Sequence, residues 1–495
     1  MKLFADRGPA GLRRLARLLS VLVVALAGAG CASLFEGYST APNGLPVQDD
    51  ELRRVLASSA YDSAWAQVQD DAKLPEDELL RTMYRGIVAY YAGAYDTAIA
   101  ALDRAEALAQ DRLTASASAS VLSTVTNDRI LPYTPGDSER MLLHYYGILA
   151  GLSAHDREAA AVEARRLSFI LAGVESDIAA DAARDPPRDR LRAFMHYLSG
   201  VAFEAYGAFE DAGVSYRRAA ALDSTIAPPL PSSDSGDVVV IIERGFVDHL
   251  AEENVFLWLA PQHVETLSSG PVADRLALGA LITARVLAEI ALEDDQRAYG
   301  DRTHPRRRHY GRREVRIEYD DTATTDEEPY LLRVAWPTFR DDGRFYGGVV
   351  LAATDSIERA PDLRADVSSA IIADFSEEKA AMLARTVIRS VSRFALGEAA
   401  ENKAEETSEG LGTLVGILAN IGSAAVERAD TRSWHLVPSD VSVVRMRLPV
   451  GEHPVYAVVE SGAYEKGGGV PRRIGLGRVQ VQPGMVTVVS GRIWR

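Results

Sequence analysis

Between residues 51 and 226 the apolar positions recur at helical spacing, and one stretch of the pattern returns. Residues 81–108 place Gly86, Tyr90, Gly93, Tyr95, Ala98, Leu102 and Ala105 in a fixed register. Residues 193–222 repeat that register with Gly200, Phe203, Gly207, Phe209, Ala212, Tyr216 and Ala219. Residues 140–170 are a weaker copy that keeps Tyr145, Gly147, Ala159 and Ala164. Each copy predicts a helical hairpin. Small residues on the first helix (Gly86, Gly200) and the second (Ala98, Ala212) let the two cross closely, and a glycine near the turn reverses the chain. A helical pair over 50–72 is expected to cap the stack.

The run Pro228-Pro229-Leu230-Pro231-Ser232-Ser233-Asp234-Ser235-Gly236 breaks the helices. Beyond it, 237–243 (DVVVIIE) reads as a buried strand, 312–319, 330–339 and 347–354 as further strands, and 276–293 as a helix. Residues 363–400 predict one long helix, with Val367, Ile371, Phe375, Leu383, Val387, Val391 and Phe394 on one stripe. Residues 411–426 predict an uncharged helix whose Gly412 and Gly416 form a small-residue face, suited to packing on the 363–400 helix, a membrane or a second copy. After Trp434 the pattern turns to strands over 441–448, 455–461, 474–481 and 485–494. The expected fold class is α+β. An all-α hairpin stack over 51–227 precedes a mixed α/β domain over 237–428 and a β-rich module over 429–495 that ends in antiparallel strands.

The hairpin register resembles the tetratricopeptide repeat, without the proline that usually follows the second helix. Such stacks present concave grooves to partners. The candidate groove residues are Tyr84, Arg85, Tyr91, His196 and Glu204.

The chain has 495 residues and a formal net charge of −16. An acidic chain argues against general nucleic-acid binding, which needs basic surface to neutralise phosphate. Among these residues there is one cysteine, Cys31, so no disulfide within the chain supports the fold.

Cys31 follows Arg13, Arg14 and Arg17, the apolar stretch Leu18–Leu26 and the small residues Ala27-Gly28-Ala29-Gly30. That order reads as an export signal over 1–30. A cysteine directly after the small residues resembles a bacterial lipobox, although Gly28 stands where lipoboxes usually carry leucine. The resemblance implies cleavage before Cys31, lipidation of its thiol, and outer-membrane sorting, since Ala32 rather than Asp follows. A plain secretory signal is the alternative; the apolar stretch is shorter than the roughly 20 residues of a spanning helix. Residues 31–50, rich in Gly, Pro, Ser and Asn, read as a flexible tether.

Motifs for catalysis are not evident: HExxH, GxSxG and the P-loop GxxxxGK[ST] do not occur. His249-Leu250-Ala251-Glu252-Glu253 lacks the second histidine one helical turn away that zinc would need. Gly410-Leu411-Gly412 has no phosphate-binding lysine after it. Arg306, Arg307, Arg308, Arg312 and Arg313, flanked by His304 and His309, read as a solvated loop balancing the acids at 320–328 or as an anion site. No metal, cofactor or small-molecule substrate is expected.

Ala429-Asp430-Thr431-Arg432-Ser433-Trp434, followed by Leu436, Pro438, Arg445, Leu448 and Pro449-x-Gly451-x-His453, resembles the C-terminal block of an uncharacterised bacterial lipoprotein family with N-terminal tetratricopeptide-like repeats. Tyr145–Gly147, Glu163–Arg166 and Asp237–Gly245 resemble its other segments, with Arg244-Gly245 where that family commonly has Asn-Gly. The resemblance implies no activity. Members occur beside lipoproteins of the penicillin-binding-protein activator class. Within the block, Asp430, Arg432 and Trp434 read as a structural junction: Arg432 pairs with Asp430 or a helix C-terminus, and Trp434 anchors the first C-terminal strand to the helices. The expected function is a non-enzymatic scaffold in the cell envelope, facing the periplasm and held by acyl chains, with an unidentified envelope protein as partner. The alternative is a regulator of a cell-wall synthase or an envelope secretion complex. Lipidation predicts that Cys31→Ala protein no longer pellets with membranes, and that mass spectrometry finds acyl chains on Cys31 of the parent.

Overall fold

The computed structural model describes residues 40–41, 43–119, 132–178, 185–226, 235–260, short helical pieces between 262 and 288, 313–316, 330–340, 350–377, 382, 386, 428–459 and 472–494. The expected features at 1–39, with Cys31, at 306–312 and at 411–426 lie outside these residues.

Helices α1 (Val47–Ala57) and α2 (Tyr61–Gln67) precede three hairpins. These are α3 (Glu78–Tyr91) with α4 (Tyr95–Ala119), α5 (Asp137–Ser153) with α6 (Arg157–Ile178), and α7 (Pro186–Tyr206) with α8 (Phe209–Leu222). Local chemistry sets the ends. Asp77 caps α3 by accepting from the backbone of Leu79 and Leu80, and Asp185 caps α7 ahead of two first-turn prolines. The three hairpin turns share one device. Gly93, His155 and Gly207 have φ of +76°, +61° and +95°, and the next residue's N–H reaches five residues back (Ala94 to Ala89, Asp156 to Gly151, Ala208 to Phe203). The middle hairpin has one extra residue between its close-contact glycine and its turn. That shifts the register, and Ala160, not the expected Ala159, is the fully buried position.

Gly86, Gly147 and Gly200 occupy equivalent places where the hairpin helices touch. A Cβ there would lie 2.8 Å from Leu102, 2.8 Å from Glu163 and 2.6 Å from Tyr216, respectively.

Among the described residues the second half forms three sheets. The central one has the order β11 (Val486–Ile493), β1 (Ser235–Arg244), β8 (Asp440–Pro449), β7 (Leu363–Asp366). The second has the order β10 (Arg472–Val481), β9 (Gly451–Val459), β5 (Val350–Ala353), β6 (Glu358–Arg359). In the third, β2 (His249–Leu259) lies between β3 (Arg313–Arg316) and β4 (Tyr330–Arg340). Alternation along β1 sorts its neighbours. Val239 and Ile241 join the core shared with the helices, and Val238, Val240 and Ile242 join Val350, Val455, Ala457 and Val481 of the second sheet. The architecture is therefore a helix layer, the central sheet and a second sheet, in that order.

Three expectations change, and the 249–253 segment gains a conformation. The 363–400 helix begins at 367: Leu363 and Ala365 alternate inward on β7, and Asp366 caps the helix by accepting from the backbone and hydroxyl of Ser369. His249–Glu253 is strand, paired with β4 along its whole length. The last strand, β11, runs parallel to β1, so 429–495 has no sheet of its own; β8 and β11 flank β1. The tether ends early, because Leu45 is buried and α1 starts at Val47.

Tyr216 is held by Glu204 and Arg445, so its ring cannot yield to a new methyl group at position 200. Gly200→Leu and Ala212→Leu are expected to lose about 1–3 kcal/mol each by overpacking. Gly173→Ala, where a Cβ meets nothing within 4 Å, should be neutral or stabilising. Urea unfolding of the three variants checks this; equal midpoints would refute the register.

Candidate functional site

The helix layer and the central sheet meet on polar groups that neither half satisfies alone. Glu243, near the end of β1, is fully buried. Its carboxylate accepts from Tyr91 of α3 at 2.9 Å and from Tyr145 and Tyr146 of α5 at 3.0 and 2.8 Å. Its register partner on β11, Arg492, donates to the Tyr91 hydroxyl at 2.8 Å and to the carbonyls of Gly245 and Leu436. The guanidinium lies 4.1 Å from the Trp494 ring and 4.7 Å from that of Phe246. Burial pushes the Glu243 carboxyl up, against the pull of Arg492 and the tyrosine hydroxyls. Burial also carries the three tyrosines well above the ordinary phenol range.

A second node sits at the other end of β1. Arg445 of β8 binds Asp237 at 2.6 Å and Glu204 of α7 at 2.6 and 2.9 Å. Although burial pulls the other way, Arg447 and Arg445 hold Asp237 below the usual carboxylate range. A third node joins the 429–434 block to the helices. Arg432 pairs with Asp430 at 2.6 Å and approaches Asp77, the α3 cap, at 3.5 Å. Its helix contact is thus an N-terminus rather than a C-terminus. The Trp434 ring is fully buried against Tyr146, and the backbone N–H of Trp434 donates to Glu139 at 3.0 Å; Glu139 also accepts from the Tyr133 hydroxyl.

These contacts correct the groove expectation. Tyr84 is buried, with its hydroxyl 2.5 Å from His435 Nε2 and 3.4 Å from Asp49. Tyr91 lies on Glu243. His196 is buried between helices, 2.8 Å from Glu175, whose carboxyl it holds below the ordinary range. Glu204 is on Arg445, and Arg85 ties α3 to Asp71 and the Val68 carbonyl. The inner face of the stack is filled by the chain's own sheet, which Tyr91 and Glu204 contact directly, whereas Arg85 and its partner Asp71 stay partly exposed. Glu243, Asp237 and Arg492 are residues that sequence reasoning missed; the available signal was a charge at each end of an otherwise apolar strand in 237–243.

The outer row of helices carries a different feature. A cleft of about 730 Å³ between α4, α5 and α6 is lined by Asp103, Glu106, Asp137, Arg140, His144 and Arg166, with Phe169 at 80% exposure on its wall. Inside it, His144 Nδ1 lies 2.7 Å from Glu163, and Glu106 lies 3.7–3.8 Å from His144 and Arg140. Among the described residues no group of three His, Cys, Asp or Glu side chains is placed to hold a metal ion.

A carboxyl with a raised folded pKa holds its proton more tightly in the folded state, so its contribution is full below the ordinary value of 4.5 and falls as pH rises through the raised one. Glu243→Gln should remove that slope: measured from pH 4.5 to 7, the variant should gain stability relative to the parent as pH rises. Glu243→Ala, which leaves three tyrosine hydroxyls short of an acceptor and takes the nearby negative charge from buried Arg492, should lose about 3–5 kcal/mol at every pH in that range. Parallel unfolding curves for Glu243→Gln and parent would refute the assignment. Compared with models of protein families, with curated proteins and with solved structures, the chain matches none of them.

Proposed function

We propose that this chain is a lipid-anchored lipoprotein of the bacterial envelope that works as a non-enzymatic scaffold, with its helical hairpins as tetratricopeptide-like repeats. The shared register of Gly86, Gly147 and Gly200 and the common turn device support the repeat reading. In this protein the repeats serve two faces. The inner face clamps the central sheet, and the outer row of helices is the face offered to an envelope protein.

One observation carries the placement of the partner surface. Phe169 is a large aromatic left 80% exposed beside a cleft with both acidic and basic walls. Aromatic anchors with arginine at a polar rim are the composition that dominates binding energy at interfaces. The groove residues Tyr84, Tyr91 and His196 have internal partners and do not compete for that role.

The test is crosslinking and affinity capture from intact membranes. Phe169→Ala combined with Asp137→Ala is expected to reduce recovery of the partner at least tenfold, a loss of about 1.4 kcal/mol or more, with the melting temperature within a few degrees of the parent. Tyr91→Phe, which keeps the ring and removes an inner hydroxyl, should leave capture intact. Capture that survives the double change and fails in Tyr91→Phe would move the surface to the inner face and sink the proposal. Deleting 429–495 is no substitute for these changes, because it removes both strands that flank β1.

A further inference from the structure

The chain enters the fold sooner than its composition suggests. Thr40 forms a bridge with Pro46, and Leu45 is buried. The Asn43 carbonyl accepts from His249 Nε2 at 3.0 Å and from Arg340 at 3.2 Å. Arg53 of α1 lies 3.2 Å from the other nitrogen of that imidazole and donates to the Val247 carbonyl. The arginine can only donate, so the ring accepts at Nδ1 and donates at Nε2. Gly44, at φ +93°, is packed against Ala251, where a Cβ would lie at 2.8 Å. Residues 40–53 are therefore strapped onto the start of β2 and the end of β4.

This leaves eight residues, and so nine residue steps, between Cys31 and Thr40. Fully extended they reach about 30 Å, against about 65 Å for a tether running to residue 50. A folded body of this chain length is roughly 60 Å across. The leash is thus shorter than the body it holds. The body also has two distinguishable poles, because β1 runs along the stack. Its last residues lie by α1 and α3, through Glu243 and Val247, and its first lie by the α7–α8 hairpin, through Asp237 and Arg445. Asp237 and Glu243 are six residues apart on β1, about 20 Å.

We propose that the pole formed by α1, α2 and the β2–β4 pair lies against the bilayer, and that the α7–α8 hairpin, with Tyr206 and Phe209 exposed at its turn, points away from it. The proposal rests on lipidation at Cys31. The surface of the body within about 30 Å of Thr40 can touch lipid headgroups; the far hairpin cannot, because the chain would have to run round the body to bring it there.

The lipidated thiol of Cys31 is blocked, so one added cysteine gives one labelled site. Glu51, on α1, and Glu210, at the start of α8, are both exposed. Full-length lipidated Glu51→Cys and Glu210→Cys proteins, each carrying a fluorophore, are reconstituted into phosphatidylethanolamine–phosphatidylglycerol vesicles containing nitroxide-headgroup lipid. Quenching is expected to be several-fold stronger at position 51. Equal quenching on protein that floats with the vesicles would overturn the orientation and leave the anchor standing. Protein that does not float would overturn the anchor itself, and the proposal with it. A Gly/Ser insert of roughly 20 residues between positions 33 and 39 should bring the two signals together; a contrast that persists would overturn the short leash as its cause.

Discussion

One buried carboxyl joins the two halves of this protein. Glu243 comes from the sheet, and the three hydroxyls it accepts come from α3 and α5. A buried carboxyl without donors, or buried phenols without an acceptor, carries a penalty of several kcal/mol. Each half therefore supplies what would destabilise the other if left unmet. Arg492 completes the set from the neighbouring strand and reads Tyr91 directly. The hairpins here are held by the chain's own sheet, which fills the face they share.

The helical half was legible because its signals are local. The Gly86 and Gly200 registers, the Gly93 and Gly207 turns and the strand at 237–243 each follow from residues within one helical turn or one pleat of one another. The single-residue shift at Gly147 was not legible, because His155 takes the left-handed conformation that glycine holds in the other two turns. Trp434 was readable as an anchor, since a lone tryptophan beside an ion pair at a strand's start has few other uses. The helix boundary at 367 was missed because Leu363 and Ala365 fit a helical stripe as well as an alternating strand.

The junction itself was not legible. Glu204, Asp237 and Arg445 meet from three elements, and nothing in their spacing distinguishes them from surface charges. Tyr84 and Tyr91 were chosen for the face they occupy. Which body fills that face depends on a sheet whose order, β11-β1-β8-β7, follows no sequence rule. Glu252 and Glu253 likewise sit at the middle of a paired strand, opposite Pro337 and Trp336.

The place of β1 in that order has a kinetic consequence. Its parallel neighbour begins at Val486 and its antiparallel neighbour at Asp440, so the strand emerges from synthesis roughly 200–250 residues before anything can pair with it. Loops of that length close slowly, and an apolar strand waiting for its ladder is open to wrong pairings. The hairpins, whose contacts are short-range, complete themselves first and offer a ready surface to one side of the waiting strand. Assembly of this molecule is thus ordered in time as well as in space, with the pairing of β11 onto β1 as its late step.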